Sequence, residues 1–210
     1  MKKTASVMPS ELARAAFELF AQRGFASVTI DEIAAAAGVT KGSFYSHYAS
    51  KHEIILAACQ HYYRAYHEQV QTEIAPLRDP LERLHRVLAL SVRRCVLDKK
   101  NRVFTTEIFA LGLQRDDVQR SWAQFYDAVR EMYVGLTLAA SEAGQLRISD
   151  VRRAVDLMLA AIEGVKMRAA FEPHMAAADE QRPIVADLLR ILGHESSLLH
   201  TCLPSFDPDD

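Results

Sequence analysis

The sequence is poor in the features that mark membrane, secreted and disulfide-stabilised proteins. Among its 210 residues, no apolar run reaches the roughly 18 residues that a membrane-spanning helix needs. Lys2 and Lys3 are not followed by an apolar block, so the N-terminus does not match a secretory signal. The three cysteines are widely spaced and odd in number, which argues against a disulfide framework. We therefore expect a cytoplasmic protein without a membrane segment.

The chain also lacks the excess of positive charge that nonspecific nucleic-acid binders carry. Its formal net charge is −2. Residues 1–51 contain six basic and four acidic side chains, a net charge of +2, which leaves −4 for the remaining residues. This modest asymmetry fits a small DNA-reading segment attached to a larger acidic body.

Residue arrangements typical of catalysis or metal binding are missing as well. No Ser/His/Asp set, paired carboxylates or phosphate-binding loop stands out. Cys59, His61 and His67 form the only close pairs of metal-ligand residue types. Separations of two and six residues do not place side chains on one face of a helix. We therefore expect no enzyme activity, no metal site and no cofactor.

Helix signals dominate what is present, and no segment is a convincing strand. Glycines and prolines follow apolar stretches of helical period, and Ser, Thr or Asp residues stand before the next ones. The pattern predicts an all-α protein of about nine helices. Gly24 ends the first helix, and we expect the others over about 30–37, 40–48, 51–73, 80–97, 102–111, 117–143, 150–171 and 181–192, with 98–101 as a polar connector.

The segment from Ala36 to Tyr48 predicts two short helices joined by a tight turn at Gly38. Thr29 with Glu32, and Ser50 with Glu53, have the spacing of capping boxes. Thr40 is the expected N-cap of the second helix. Short helices with sharply defined ends are typical of a helix-turn-helix, in which the second helix enters a DNA groove.

The first turns of this recognition helix carry side chains suited to DNA. Lys41 can hydrogen-bond to guanine, and Thr40 and Ser43 can pair with bases or phosphates. Tyr45 shares a face with Lys41, four residues away. Gly42 costs about 1 kcal/mol relative to alanine in a helix, so we expect it to permit close approach to the duplex; the alternative is a glycine tolerated in a first turn.

Phosphate contacts are expected from the residues that flank the recognition helix. His47 can donate to a phosphate whether neutral or charged, or it can cap the helix end. Lys51 stands at the start of the next helix, where a cation is unfavourable unless an anion also binds there. The alternative for Lys51 is an exposed side chain that points away. Thr29 can hold a phosphate in addition to its capping role.

The segment from Gly24 to Lys51, with its Thr29-Ile30-Asp31-Glu32-Ile33-Ala34 and Ala37-to-Tyr48 runs, closely resembles the N-terminal domain of the TetR family of transcriptional regulators. A phenylalanine is more usual where Tyr48 stands. The resemblance implies an all-helical homodimer with a helix-turn-helix domain (1–52) and a ligand-binding and dimerisation domain (53–195). The prolines and aspartates after Ser196 predict a flexible tail (196–210). It also implies a set of DNA-facing positions: Thr29, Thr40, Lys41, Gly42, Ser43, Tyr45, His47 and Lys51.

Large apolar side chains in the second domain are candidates for a ligand pocket, because pockets are mostly apolar with a few polar groups. The alternative is that these residues are ordinary core. Phe104 and Phe109 are rotated by about 140° on a helix, so both are not expected to line one pocket. Glu107 could contact a cationic ligand or be solvated. The candidates are Tyr62, Tyr66, Phe104, Phe109, Trp122, Phe125, Tyr126, Met158 and Ile162.

Apolar stripes on the last two expected helices could pair with those of a second copy, although packing within one chain is an alternative. Together these features predict a ligand-responsive regulator, expected to be a repressor. It would bind a palindromic DNA operator as a homodimer, with half-sites about 34–36 Å apart, and be released by a small, mostly apolar effector. A helical protein-interaction module or an enzyme that carries a helix-turn-helix is the alternative.

Overall fold

A computed structural model describes residues 7–195, and within that range the chain forms nine α-helices and no strand. This confirms the all-α expectation. Residues 196–210, where we expect a flexible tail, lie outside the described residues. The helices are α1 (Val7–Arg23), α2 (Ile30–Ala36), α3 (Lys41–Tyr45), α4 (Lys51–Ile74), α5 (Pro80–Val92), α6 (Lys99–Gly112), α7 (Asp116–Glu142), α8 (Val151–Ala169) and α9 (Gln181–Ile191).

Side-chain caps define the short N-terminal helices, as the sequence predicts. Thr29 and Glu32 form the complete capping box at the start of α2. The Thr40 hydroxyl accepts a hydrogen bond from the Ser43 amide at 3.1 Å. The cap of α4 differs in one detail from the expected box. Its Glu53 carboxylate accepts from the backbone amide of Ala49 instead of that of Ser50.

Three boundaries in the second half differ from the expected ones. The polar connector expected over 98–101 is not present. The Asp98 carboxylate caps α6 by accepting hydrogen bonds from the amides of Lys100 and Asn101, so the helix begins at Lys99. The helix from Pro80 changes at Arg93 into one π-helical turn that ends at Leu97. Finally, α7 begins at Asp116 itself.

Two hydrophobic clusters organise the described residues. The first joins α1, α2 and α3, which we call the head, to α4 and to Phe104 and Ile108 of α6. The second joins α4 to the body, which we define as α5, α7, α8 and α9. Helix α6 packs on both α1 and α7. It therefore contacts both the head and the body.

The apolar residues that suggested a dimer interface lie inside this one chain. Val155, Met158, Ile162, Ile184 and Leu188 are buried in the second cluster. Val151, Val165 and Ile191 pack against it from partly buried positions. Packing within one chain therefore accounts for these stripes. Among residues 7–195, no helix is both long and apolar enough to cross a membrane.

Candidate nucleic-acid interface and internal cavity

The recognition helix α3 is held by its buried face and displays the other. Phe44 is fully buried, and its ring makes an edge contact with that of Tyr45, 5.5 Å away. Tyr45 itself is 48% exposed. The turn before α3 is made by Gly38, whose φ of +69° is a left-handed conformation that favours glycine. The helix-turn-helix geometry expected from the sequence is present.

All eight residues expected to face DNA are exposed or partly exposed, and they lie along one continuous stretch of chain. At Gly42, an added Cβ atom would meet only the Thr40 hydroxyl, at 3.8 Å. Packing within the chain therefore does not require glycine at this position. The close approach of a DNA backbone remains the physical reason that we expect for it.

Two ion pairs connect Lys41 and the nearby Arg23 to acidic residues of α2. The Lys41 ammonium lies 2.8 Å from the Asp31 carboxylate, which raises the Lys41 pKa. Arg23 pairs with Glu32 at 2.8 Å. Hydrogen bonds from the Thr29 amide and hydroxyl, together with Arg23, lower the pKa of Glu32 to about 2. The surface is thus preorganised, and Lys41 already has an anionic partner.

Lys51 begins α4, directly after the Ser50 cap. Its ammonium has a long contact of 3.4 Å with the backbone carbonyl of Ala26, in the turn between α1 and α2. The side chain therefore extends from the first residue of α4 to the turn between α1 and α2. A cation and helix amides together are a suitable environment for a phosphate.

An aromatic cavity lies between α4 and helices α5 to α8. Its volume is about 40 Å³. Because one water needs about 10–15 Å³ of such space, only a few waters fit, and a larger ligand would have to displace side chains. Six of the nine candidate ligand residues line it: Tyr62, Tyr66, Trp122, Phe125, Tyr126 and Ile162.

The other three candidates are placed elsewhere. Phe104 is fully buried in the first hydrophobic cluster, where its ring contacts that of Phe17 at 4.8 Å and that of Phe25 at 5.8 Å. Met158 is fully buried in the second cluster. Phe109 is 52% exposed, on the surface of α6. The structure does not bring these three to the cavity wall.

Several polar residues of the cavity wall were not candidates from the sequence. Lys166 is only 4% exposed and pairs with Glu163 one helical turn away. Burial raises the pKa of the Cys95 thiol to about 11, so the thiol stays protonated. The sequence signal that could have identified Lys166 is its position among the buried residues of α8, because all the others are apolar. The polar residues missed are Ser91, Cys95, Thr105, Tyr133, Glu163 and Lys166, and the apolar residues missed are Val129 and Leu159.

Two polar contacts connect the head and the start of α4 to the helices around the cavity. The Glu107 carboxylate on α6 accepts from the amide of Phe25 at 3.0 Å. This placement differs from both expectations for Glu107, a ligand contact or simple solvation. The His52 ring on α4 lies 2.5 Å from the Asp117 carboxylate on α7, which lowers the Asp117 pKa.

Comparison with known proteins assigns the helix-turn-helix segment. Residues 12–58 match the family model described as bacterial regulatory proteins, tetR family. The HTH-type transcriptional regulator YerO of Bacillus subtilis is 47% identical over 49 residues, which cover 23% of this chain and 17% of that protein. This second match therefore covers less than a quarter of the chain.

Other similarities extend over most of the chain. The probable HTH-type transcriptional regulator ArpR of Pseudomonas putida is 30% identical over 169 residues, or 78% of this chain and 80% of that one. Among solved structures, a putative transcriptional regulator from Saccharomonospora viridis in complex with choline superposes with a TM-score of 0.80 at 19% identity. That superposition covers 90% of this chain and 99% of the other, and it shows a shared fold.

Proposed function

The chain belongs to the tetR family of bacterial regulatory proteins, and we propose on this basis that it is a ligand-responsive repressor. In this proposal a homodimer binds a palindromic operator through two copies of α3. A small, mostly apolar effector then enters the cavity and releases the protein from DNA. By thermodynamic linkage, effector and operator weaken each other's binding by the same factor.

The observation that carries the DNA-binding part is the exposed surface built by α3 and the start of α4. Thr40, Lys41, Ser43 and Tyr45 present hydroxyl and ammonium groups on a helix narrow enough for the major groove. Lys51 adds a positive charge beside a helix N-terminus, where a phosphate would be favoured. Thr29, Gly42 and His47 complete the proposed contact set.

The homodimer is proposed to form through the outer face of α8. Leu157, Ala160, Gly164 and Met167 are exposed on α8 at intervals of three and four residues, and Phe171, also exposed, lies in the turn directly after the helix. Leu157 is 60% exposed and Phe171 83% exposed. A continuous apolar stripe of this spacing fits helix-to-helix packing against a second copy. It replaces the inward-facing stripe that the sequence suggested.

The effector part of the proposal is supported by the cavity and by the connection through α6. Thr105 lines the cavity, and Glu107, on the same helix, contacts the head. A ligand that widens the cavity would shift α6 and with it the turn between α1 and α2. The S. viridis regulator of the same fold is known with choline bound, which supports ligand binding in this fold.

Selection of binding sites from a random duplex library tests the DNA-binding proposal. We expect the selected sequences to contain an inverted repeat whose half-sites are about one helical turn apart.

The phosphate contact of Lys51 is tested by fluorescence anisotropy with the selected site. Lys51→Ala should weaken binding to all duplexes and reduce the slope of log affinity against log salt concentration by about 1. Arg147→Ala, which removes a largely exposed charge from the loop between α7 and α8, is the matched control. Equal slopes for Lys51→Ala and the wild type would contradict the phosphate contact.

A further inference from the structure

The cavity wall contains a series of three buried hydroxyl groups, and each of them donates its hydrogen atom to a neighbour within the protein. Tyr133 donates to the backbone carbonyl of Val87, 3.3 Å away, because a carbonyl can only accept. Ser91, 2.7 Å from Tyr133, must therefore donate to Tyr133, and Tyr66, 2.8 Å from Ser91, must donate to Ser91. Each hydroxyl has one hydrogen. The Tyr66 hydroxyl, at the end of this series of hydrogen bonds, can therefore only accept a further hydrogen bond.

Thr105 and Tyr126 extend this acceptor character around the wall. The Thr105 hydroxyl donates to the backbone carbonyl of Asn101 at 2.9 Å. Burial raises the Tyr126 pKa above its usual range, and the neighbouring Glu163 carboxylate raises it further. The Tyr126 hydroxyl therefore keeps its proton, and Glu163 is its hydrogen-bond acceptor. At the Tyr66 and Thr105 part of the wall a ligand therefore meets lone pairs and aromatic rings, while the donors Cys95 and Lys166 lie elsewhere in the lining.

The charges near the cavity disfavour an organic ion of either sign. Lys166 is neutralised by Glu163, and the Arg94 guanidinium lies 5.3 Å from the centre of the Tyr62 ring and 5.8 Å from that of Tyr66. An organic cation would meet both Lys166 and Arg94. A carboxylate could reach Lys166 only in competition with Glu163, and at the other end it would meet the hydroxyls of Tyr66 and Thr105, which can only accept. A buried charge without a partner is strongly unfavourable.

Aromatic rings supply the remaining contacts. Trp122, Phe125 and Tyr126 lie within 6.1 Å of one another on α7, and the Phe125 ring also lies 6.0 Å from that of Tyr66. Such rings favour a flat aromatic partner in stacked or edge-on contact. The cavity is also small, which favours a thin molecule over a bulky one.

From these observations we infer that the effector is an uncharged aromatic compound with a hydroxyl group, which donates its hydrogen bond to Tyr66 or Thr105. The inference rests on the proposed function, because it names the ligand class of the same cavity. A hydroxyl group can donate to the Tyr66 or Thr105 oxygen, whereas an ether of the same shape leaves these acceptors unpaired.

Isothermal titration calorimetry on the full chain without DNA tests this with four probes that share one skeleton. The probes are 4-ethylphenol, 4-ethylanisole, 4-ethylbenzoate and (4-ethylphenyl)trimethylammonium. We expect the phenol to bind about tenfold more tightly than its methyl ether, the factor for one net hydrogen bond, and both ions to bind more weakly than the ether. Equal affinity for phenol and ether, tightest binding of an ion, or no binding of the phenol at millimolar concentration would overturn the inference.

Ser91→Ala tests the direction of the hydroxyl chain. Without Ser91 the Tyr66 hydrogen is free to donate to an ether oxygen, so the phenol-to-ether affinity ratio should fall several-fold, towards one. Thr137→Val is the matched control: its buried hydroxyl has no hydrogen-bond partner and is not part of the cavity wall, so the ratio should not change. A ratio unaffected by Ser91→Ala would refute the assigned direction.

The same probes separate failure of this inference from failure of the proposed function. If the phenol binds as expected but does not release the selected DNA site, the ligand class stands and ligand-responsive repression fails. If the protein binds an inverted repeat but none of the probes, the DNA-binding proposal stands and the ligand class is wrong.

Discussion

The Glu107 carboxylate, on α6, accepts a hydrogen bond from the backbone amide of Phe25, 3.0 Å away and 82 residues earlier in the chain. The other oxygen of the same carboxylate lies against Gly24, where an added Cβ atom would be only 3.1 Å from it. This contact attaches the turn between α1 and α2 to the helix that also carries Thr105 of the cavity wall. It is therefore a physical connection between the cavity and the head.

Glu107→Ala is expected to lower the free energy of unfolding by about 1–2 kcal/mol, because the Phe25 amide loses its acceptor in a partly buried place. Glu107→Gln keeps an acceptor oxygen and should lose less. Urea denaturation of both variants measures the difference. Destabilisation of equal size in the two variants would show that the charge, and not the hydrogen bond, is what matters.

Contacts within a few residues were predictable from the sequence, because caps and turns depend on local spacing. Thr29 with Glu32, Thr40 with Ser43, and the glycine turn at Gly38 are examples. The DNA-facing residues come from one such contiguous segment. They could therefore be proposed as a set, and the family resemblance strengthened that proposal.

The cavity and the links between head and body could not be predicted in the same way. The cavity wall is assembled from α4 to α8, and no local pattern fixes how those helices pack. The Glu107 contact to Phe25 likewise joins distant residues. Phe109 shows the limit of counting aromatics, since its neighbour Ile108 is buried while Phe109 faces outward.

The pair of His52 and Asp117 should make stability depend on acid pH. The His52 hydrogen bond holds the Asp117 pKa below its ordinary value of 3.8 in the folded chain. The stabilisation is therefore fully present above that value and is lost as the pH falls through the lowered folded pKa. We expect Asp117→Asn to unfold at a lower urea concentration than the wild type at pH 7, and the gap to shrink below about pH 4.

Asp116→Asn is the control for this experiment, because Asp116 is an exposed carboxylate in the same first turn of α7. It reproduces the loss of a negative charge at the helix N-terminus without touching His52. If the two variants followed the same pH curve, the effect would belong to the helix end and the His52 contact would contribute nothing.

Asp31 is expected to restrain DNA binding through Lys41. The two side chains form an ion pair of 2.8 Å on the exposed surface, so Asp31 both neutralises Lys41 and places a negative charge close to the proposed phosphate path. Asp31→Asn should tighten binding to unrelated duplexes about threefold, a change within the range of exposed ion pairs. The preference for the selected site should fall because Lys41 loses its fixed orientation.

Anisotropy titrations with the selected duplex and a scrambled one measure both effects of Asp31→Asn. Lys41→Ala provides the comparison, since it should relax preference at particular bases without the general gain in affinity. Weaker binding of the Asp31→Asn variant to both duplexes would contradict the restraining role, and would indicate instead that the ion pair holds α3 in its binding position.

Gly164 is the best place to test the proposed dimer face, because it lies in the middle of the exposed stripe of α8 and an added Cβ atom would meet nothing within 4 Å. Gly164→Arg should therefore fit the single chain without strain, while it places a charge at the centre of the proposed interface. We expect light scattering at micromolar concentration to give a dimer mass for the wild type and a monomer mass for this variant. Ala128→Arg, at an exposed position of α7 and not on α8, should remain dimeric.

Gly164→Arg should also change DNA binding. Because monomers bind each operator half-site separately, this variant should lose affinity for the inverted repeat, while it binds a single half-site as the wild-type head does. A dimer mass for Gly164→Arg would move the interface to another face of the body.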